Sequence, residues 1–496
     1  MGSCLRRSFV LALLVVDGVG AAGAEHTRAL IDAVKADNHG GVRALLQQSV
    51  NVNARQGDGT TALHWAVRNS DIDAVQTLID SGANVSAANQ QGVTPLALAA
   101  LNGDARITER LIKAGADVAV AALDGTTVLM TAARAGSVPV IRLLIDRGAD
   151  PNAREHRLGE TALMWAAAED HADAVTLLLA RGANANATSD ATKFPRQVFG
   201  DGIVALSARL PRGGWTSLMY AARQGAVRAV AALAEGGADL DAADPDGTTA
   251  LVLAIENAHN DVAIRLLQYG ADPTVADSTG TAALYAAVEM NRLGEAPGRP
   301  APKPTGMNGV ELVKALLDYG ADPNAELSAP VLQRHHSGGD ATLGAGATPF
   351  LRAAKNADVP LMELLLARGA NPLLATKNQT NALMFAAGTA GGGLGATVRT
   401  TTSDRIRAVE LCLQHGIDIN AANDTGQTAL HIAVQTSDDI VSVLAKRHAR
   451  LDLKDKQGRT PLDVAMGVGG RGGFAAVRES TAALLRQLSA EQAGKE

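Results

Sequence analysis

Histidine and carboxylate side chains near residue 335 form one of the few groups in this sequence that could bind a metal ion. His335, His336 and Asp340 stand in the stretch QRHHSGGDAT, and zinc accepts these ligand types. Two adjacent histidines on a glycine-rich loop make a poor clamp, however, so a solvated loop is the favoured interpretation. We expect no metal site.

Two glycine-rich stretches have the composition of loops that bind phosphate or RNA. Gly391–Gly395 could imitate a phosphate-binding loop, but no strand precedes it, and Gly470–Gly473 resembles an RGG segment within an acidic chain. The motifs HExxH, CxxC, CxxCH, GxSxG and the Walker loop do not occur, so the spacings that zinc, haem, acyl-transfer or nucleotide chemistry requires are missing. We expect no catalytic residue, no cofactor and no nucleic-acid partner.

A tryptophan is the first candidate for recognition of another molecule. Trp215 occupies the middle of a Gly-x-Thr turn in which other copies of the pattern carry mainly threonine or polar residues. This tip position should face solvent, and tryptophan is among the residues that dominate binding energy at interfaces. Packing of Trp215 against the segment 194–211 is the alternative interpretation.

Four arginines stand in two columns of the same pattern. Arg68, Arg134 and Arg223 each follow the turn threonine by seven residues, in alternate copies. With helices about 8 to 10 Å apart, they would line one groove and suit a partner with an acidic segment; a solvated charged face is the alternative. Arg352 follows its threonine by four residues, in the mostly aliphatic column of Trp65. Packing explains that column better than recognition in the groove, but Arg352 is included among the candidate contact residues for a partner.

A repeated unit positions these residues, and residues 58–90 are its clearest copy. An Asp-Gly turn opens the unit, Thr61 can cap a first helix, and Asp71 can cap a second helix whose apolar residues fall on one face. Gly82 is placed for a left-handed stop after the second helix. Neither helix can bury its apolar face alone, so neighbouring copies must complete the core.

The turn glycine recurs with a base period of 33 residues, which is typical of stacked repeats. The turn positions are Gly59, Gly92, Gly125, Gly159, Gly214, Gly247, Gly280, Gly346, Gln379 in place of glycine, Gly426 and Gly458. Together with a starting cap they predict about twelve units.

The unit resembles the ankyrin repeat. TALH at Thr61, TPLA at Thr94 and GADPNA at Gly148 match the two signature segments of that family. The resemblance implies an all-α solenoid of stacked helix-turn-helix units with connecting turns and short hairpins, and a role in binding other proteins. Four units carry methionine where the family prefers histidine and should lack the usual histidine hydrogen bond: Met130, Met164, Met219 and Met384.

The N-terminal residues 1–24 are predicted to be a secretory signal peptide. They contain Arg6-Arg7, a short apolar run and the Ala22-Gly23-Ala24 cleavage box, the three parts typical of such a peptide. We therefore expect cleavage after Ala24 and a periplasmic or secreted protein.

The remaining chain is predicted to be one array of repeats. Residues 25–57 lack the turn and are expected to form the starting cap, 58–457 the repeats, and 458–496 the closing cap and tail. Four insertions are expected near 187–212, 291–308, 327–345 and 388–404.

Charge and cysteine content narrow the possible partners. The formal net charge is −6, which gives no general attraction to nucleic acid or anionic lipid. Cys4 leaves with the signal peptide, so Cys412 remains alone in an apolar helix and should be a small core residue. No internal disulfide is then possible.

Together these observations predict an exported, bacterial-type ankyrin-repeat scaffold that binds a protein partner through the turn side and the inner groove. We expect a monomer without chemistry of its own and without membrane insertion after signal removal. Two alternatives remain, a hydrolase-like enzyme and a protein that binds cell-wall ligands, each with a site between insertions.

Overall fold

The computed structural model describes residues 21–191, 213–292, 303–331, 343–388, 400–468 and 477–493. Within these residues the chain forms 24 α-helices and no strand, apart from isolated bridges such as that between Arg55 and Thr61. The prediction of an all-α fold is confirmed. The chain divides into two compact units, Met1–Asp150 and Pro151–Glu496, called here the N-terminal and C-terminal units.

In its described residues the N-terminal unit contains four helix pairs. The odd-numbered helices contact one another in succession, as do the even-numbered ones, and each pair is a hairpin. We call the odd-numbered helices of a unit its first-helix row. The bounds are α1 Ala21–Lys35, α2 His39–Gln47, α3 Ala62–Arg68, α4 Ile72–Asp80, α5 Pro95–Asn102, α6 Ala105–Lys113, α7 Val128–Ala135 and α8 Val138–Ile145.

The C-terminal unit continues the same pairing within itself, with odd-numbered helices against odd and even against even. Its helices in the described residues are α9 Ala162–Ala168, α10 Ala172–Ala180, α11 Ser217–Gln224, α12 Val227–Glu235, α13 Ala250–Glu256, α14 Asn260–Tyr269, α15 Ala283–Asn291, α16 Gly309–Asp318, α17 Pro349–Lys355, α18 Val359–Ala367, α19 Ala382–Ala387, α20 Thr402–Gln414, α21 Ala429–Ala433, α22 Asp438–Lys446, α23 Pro461–Ala465 and α24 Glu479–Ala493.

Helix ends follow the local signals in the sequence. Oγ1 of Thr94 accepts a hydrogen bond from the N–H of Ala97 at 3.3 Å, and the Asp71 carboxylate accepts one from the N–H of Ala74 at 3.0 Å. Both bonds satisfy helix N–H groups that lack a partner within the helix. The predicted Asp71 cap is therefore present, and the turn threonine of the next unit caps its helix at Thr94.

The eleven predicted turn positions all have positive φ, including Gln379 at 60°. At Gly59, with φ of 83°, a side chain would also collide with the next turn, because a Cβ atom would lie 3.1 Å from Cα of Asn89. The N–H of Gln90 donates to the carbonyl of Asp58 at 2.9 Å, so consecutive turns are joined by backbone. The turn glycine thus serves conformation and contact between repeats.

An alanine column lets the first helices approach closely. The residue five positions after the turn threonine is alanine in every unit with a turn, as at Ala66, Ala132, Ala221 and Ala353, and these four side chains are fully buried. A small residue at this place brings neighbouring helix backbones together, and close packing then gains dispersion energy over many contacts.

Histidine and methionine act differently at the third helix position. Nδ1 of His64 accepts a hydrogen bond from the N–H of Thr61 at 3.2 Å, and Nε2 lies 3.1 Å from the carbonyl oxygen of Val93 in the next repeat. This pattern requires a neutral ring protonated on Nε2, and burial lowers the pKa of His64. In the methionine units the sulfur of Met130 reaches only the N–H of Thr127, at 3.4 Å.

Asparagine side chains link the loops that close successive units. Oδ1 of Asn53 accepts a hydrogen bond from the N–H of Asn84 at 2.6 Å, and its Nδ2 donates to the carbonyl of Gly82 at 3.0 Å. In the C-terminal unit Asn324 bonds in the same way to the N–H of Asn371, at 2.7 Å. We call this series the asparagine ladder. These hydrogen bonds keep the closing loops of successive units in register.

Cys412 lies on α20 and is fully buried, as the sequence predicted. Burial raises the pKa of its thiol to about 12, so the side chain stays protonated and behaves as a small apolar residue. No helix of the described residues is both long and apolar enough to cross a membrane.

Candidate functional site

Trp65 lies on α3 of the N-terminal unit, and two cations face its ring. Nζ of Lys35 lies 4.2 Å from the ring centroid and Cζ of Arg68 lies 5.2 Å from it. The indole Nε1 donates a hydrogen bond to Oε1 of Gln56 at 3.0 Å, which fixes the ring plane. The ring is partly exposed, whereas both cations are exposed. These distances are those of cation–π contacts, and we call the three residues Lys35, Trp65 and Arg68 the Trp65 site.

The two cations of the Trp65 site have no carboxylate partner in the described part of the chain. Among the described residues neither Lys35 nor Arg68 forms an ion pair. Both lie in the last turn of a helix, where a cation interacts favourably with the helix dipole. The result is an accessible positive surface in a chain whose net charge is negative.

The Trp65 site belongs to a longer row. Lys35, Arg68, Leu101 and Arg134 follow one another at intervals of 33 residues and lie in the last turns of successive helices of the first-helix row. Arg68 and Arg134 are exposed, as the sequence predicted, and Leu101 is 46% exposed. Sequence reasoning missed Lys35, because the starting cap has no turn threonine from which to count. The 33-residue interval itself could have found it.

Trp215 does not face solvent, and the prediction that it does is wrong. Its exposed fraction is 3%. Two neighbouring segments close over it: the N–H of Trp215 donates to Oγ of Ser189 at 3.0 Å, and its indole Nε1 donates to Oδ2 of Asp244 at 3.4 Å. The alternative, packing against 194–211, concerns residues outside the described part of the chain.

The aromatic residues around Trp215 use their polar groups in hydrogen bonds within the C-terminal unit. Tyr220 packs edge-to-face on Trp215 with ring centroids 5.4 Å apart, and its hydroxyl donates to Glu160 at 2.8 Å. The same carboxylate accepts from Nε1 of Trp165 at 2.8 Å, and burial raises the pKa of Tyr220. Cζ of Arg223 lies 5.1 Å from the Trp215 ring centroid, so this predicted groove arginine is partly used in packing.

Arg352 is not at the surface either, which corrects its assignment as a contact residue for a partner. It is 5% exposed, and its guanidinium lies 3.2 Å from the carboxylate of Glu289, which is also buried. Arg352 extends from α17 toward α15, its neighbour in the first-helix row. Its charge is therefore matched inside the C-terminal unit.

No candidate metal centre lies in the described part of the chain. No group of three or more histidine, cysteine, aspartate or glutamate side chains there could hold a metal ion. His335, His336 and Asp340, like Gly391–Gly395 and Gly470–Gly473, lie outside the described residues.

Comparison with known proteins agrees with this architecture. The family model "Ankyrin repeats (3 copies)" matches residues 7–89, 30–122, 96–189, 203–277 and 398–477. The chain belongs to the ankyrin repeat family. This confirms the resemblance that the repeated motifs indicated.

Two relatives share about a third of the chain. The NF-kappa-B p105 subunit of Gallus gallus is 30% identical over 162 residues, which are 32% of this chain and 14% of the relative. An ankyrin repeat protein of fowlpox virus (strain NVSL) is 32% identical over 168 residues, 33% of this chain and 41% of the relative. The chain thus spans less than half the length of either relative. Ankyrin repeats are units that bind other proteins, and this ankyrin-repeat protein has the corresponding stacked helices.

Proposed function

We propose that this ankyrin-repeat protein is a scaffold that binds a protein partner and performs no chemistry of its own. One observation carries the proposal: in the N-terminal unit, Lys35 and Arg68 hold exposed positive charge against Trp65 without an ion pair among the described residues. Tryptophan and arginine are enriched among residues that dominate interface energy. Recognition of a partner explains an accessible pair of this kind better than stability does, because exposed charges contribute little to stability.

The binding surface is proposed to be the first-helix row together with the turn side. Arg134 extends the positive charge beyond the Trp65 site, and Leu98 and Leu101 add accessible apolar surface between the cations. Trp215 and Arg352 take no part in this proposal, because both are buried within the C-terminal unit.

Affinity capture tests the scaffold. The tagged chain, matched to a variant with Arg68→Glu, is exposed to extract, and the retained proteins are identified by mass spectrometry. We expect at least one protein that the wild type retains and the Arg68→Glu variant retains weakly. Arg106→Glu is the matched control, because Arg106 is an exposed arginine on the second helix α6. Absence of any specifically retained protein would contradict the scaffold function.

We also propose that the protein is exported to the periplasm or the medium of a bacterial cell, with Glu25 as the first mature residue. The signal-peptide features of 1–24 support this, and the buried residues Leu30, Ile31 and Val34 of α1 all lie beyond the cleavage position. Cleavage would thus leave these three core residues in the mature chain. N-terminal sequencing of the extracytoplasmic protein should begin at Glu25; an intact Met1 would end the proposal.

A further inference from the structure

The row that contains the Trp65 site presents its side chains in an order that a ligand could recognise. Its members Lys35, Arg68, Leu101 and Arg134 present cation, cation, apolar, cation, one to each successive helix of the first-helix row. Each is exposed. The whole chain has a net charge of −6, so the positive charge of this row is opposite in sign to that of the protein as a whole.

Two of these cations are held in place before any ligand arrives. The indole of Trp65, fixed by its hydrogen bond to Gln56, has Lys35 and Arg68 in contact with its ring. A preorganised cation loses less side-chain entropy on binding a carboxylate than a freely rotating one. The Trp65 site is therefore suited to two carboxylates on neighbouring positions of a ligand.

A second leucine lies near Leu101, the apolar member of the row. Leu101 is 46% exposed, and Leu98, one helical turn earlier on α5, is partly exposed. Residues three apart lie on the same helix face. These two leucines make an apolar contact area between Arg68 and Arg134, which suits one aliphatic or aromatic side chain of a ligand.

The spacing of the row matches an extended peptide. Packed helices lie about 8 to 10 Å apart, and an extended chain advances about 3.3 Å per residue, so three residues cover roughly one helix spacing. A peptide crossing the helices would place every third residue over one member of the row. These residues lie on alternating faces of a flat strand, so the peptide must twist toward a polyproline II form, in which every third residue shares a face.

We propose that this row binds an acidic linear segment of a partner protein, with acidic side chains at the first, fourth and tenth positions and an apolar side chain at the seventh, in one of the two chain directions. This inference rests on the proposed scaffold function and names the partner's chemistry. Carboxylates meet Lys35, Arg68 and Arg134, and the apolar side chain meets Leu101. Cations at helix ends also stabilise helices, and the test separates that role from recognition.

The test uses the full chain and three synthetic peptides of equal length and charge. One has aspartate at positions one, four and ten and leucine at seven, the second is its reversed sequence, and the third has the three aspartates adjacent. Fluorescence anisotropy gives the three affinities at low and at physiological salt. We expect the tighter of the first two peptides to bind about tenfold more strongly than the third, a difference of about 1.4 kcal/mol.

Two variants assign that difference to the row. Arg68→Glu should remove the preference among the peptides, and Arg106→Glu on α6 should preserve it. Circular dichroism and melting curves check that both variants remain folded; Lys35→Glu replaces Arg68→Glu if the latter unfolds. Equal binding of all three peptides, or a preference that survives Arg68→Glu and Lys35→Glu, would overturn the inference. If captured partners were nevertheless retained, the scaffold function would stand while this site was wrong.

Discussion

Trp65 and Trp215 have similar local surroundings in the two units but opposite accessibility. Each ring has an arginine over its face at nearly the same distance, 5.2 Å for Arg68 and 5.1 Å for Arg223. Trp65 is nevertheless partly exposed and faces a second cation, whereas Trp215 is 3% exposed and bonds to a carboxylate. The comparison shows that residue type and repeat position do not decide which tryptophan is available for recognition.

Neighbouring segments make the difference. Trp215 belongs to the turn, so the Ser189 segment on one side and the following turn with Asp244 on the other both reach it. Trp65 belongs to the exposed side of a first helix, where its polar contact is Gln56 of the starting cap. A side chain enclosed by two neighbouring segments contributes to stability, whereas a partly exposed one is available to a partner.

Removing the two tryptophans should give the largest contrast. Trp215→Ala deletes a fully enclosed aromatic side chain and should lower the free energy of unfolding by about 3 to 5 kcal/mol. Trp65→Ala should lower it by less than about 1 kcal/mol, because the ring is partly exposed. Urea unfolding of both variants measures this. Similar midpoints for the two would break the comparison.

The buried arginine should also behave unlike the exposed one. Arg352→Met leaves the carboxylate of Glu289 buried without this cation and should lower the free energy of unfolding by about 3 kcal/mol. This value is near the lower limit for breaking a buried ion pair, because Glu289 has further interactions. Adding Glu289→Gln should recover part of the loss. Arg68→Met should change stability by less than about 0.5 kcal/mol. A large effect of Arg68→Met on unfolding would mean that its role is structural.

The smallest expected effect concerns pH. His64 precedes Trp65 and has a lowered pKa through burial, whereas the repeat of Trp215 carries Met219 at this place. The unfolded chain, with the ordinary histidine pKa near 6.5, then binds protons more readily than the folded one. Stability from His64 is therefore complete above pH 6.5 and lost as pH falls through the lowered pKa.

Denaturation curves of the wild type and His64→Met at pH 7.5 and pH 5 measure this contribution. The difference between the two proteins should narrow at the lower pH, because the carboxylates common to both cancel in the comparison. His431 has the same contacts, to Thr428 and to the carbonyl of Arg459, so the double variant should show a larger change. An unchanged difference would mean that these imidazoles bind protons equally in the folded and unfolded chains, so that burial does not lower their pKa.

Much of the fold could be predicted because its signals are local. The turn glycines and the Asp71 cap each depend on a few adjacent residues, and each is present where the sequence indicated it. The burial of Trp215 could not be predicted, since it depends on Ser189 and Asp244, which are 26 and 29 residues away. Arg352 was misassigned for the same reason, because Glu289 lies 63 residues earlier in the chain.

The candidate site was partly predictable. The column seven residues after the turn threonine predicts Arg68 and Arg134 as contact residues. The sequence does not predict such a role for Trp65, because most residues in its column are aliphatic. Only the structure shows that Lys35 of the starting region approaches the same ring. A column of the repeat therefore predicts where a residue lies in its unit. The accessibility of that residue depends on the neighbouring segments, which only the structure shows.

The asparagine ladder has a consequence for how such a chain can lengthen. Asn53 bridges to a partner 31 residues ahead, and Asn324 makes the equivalent bond to a partner 47 residues ahead, at almost the same distance. By loop-closure entropy, that increase in separation costs only about 0.4 kcal/mol. Extra residues can therefore enter between two units almost without penalty while the stack keeps its rise and register, so new surface can be added to an existing scaffold one loop at a time.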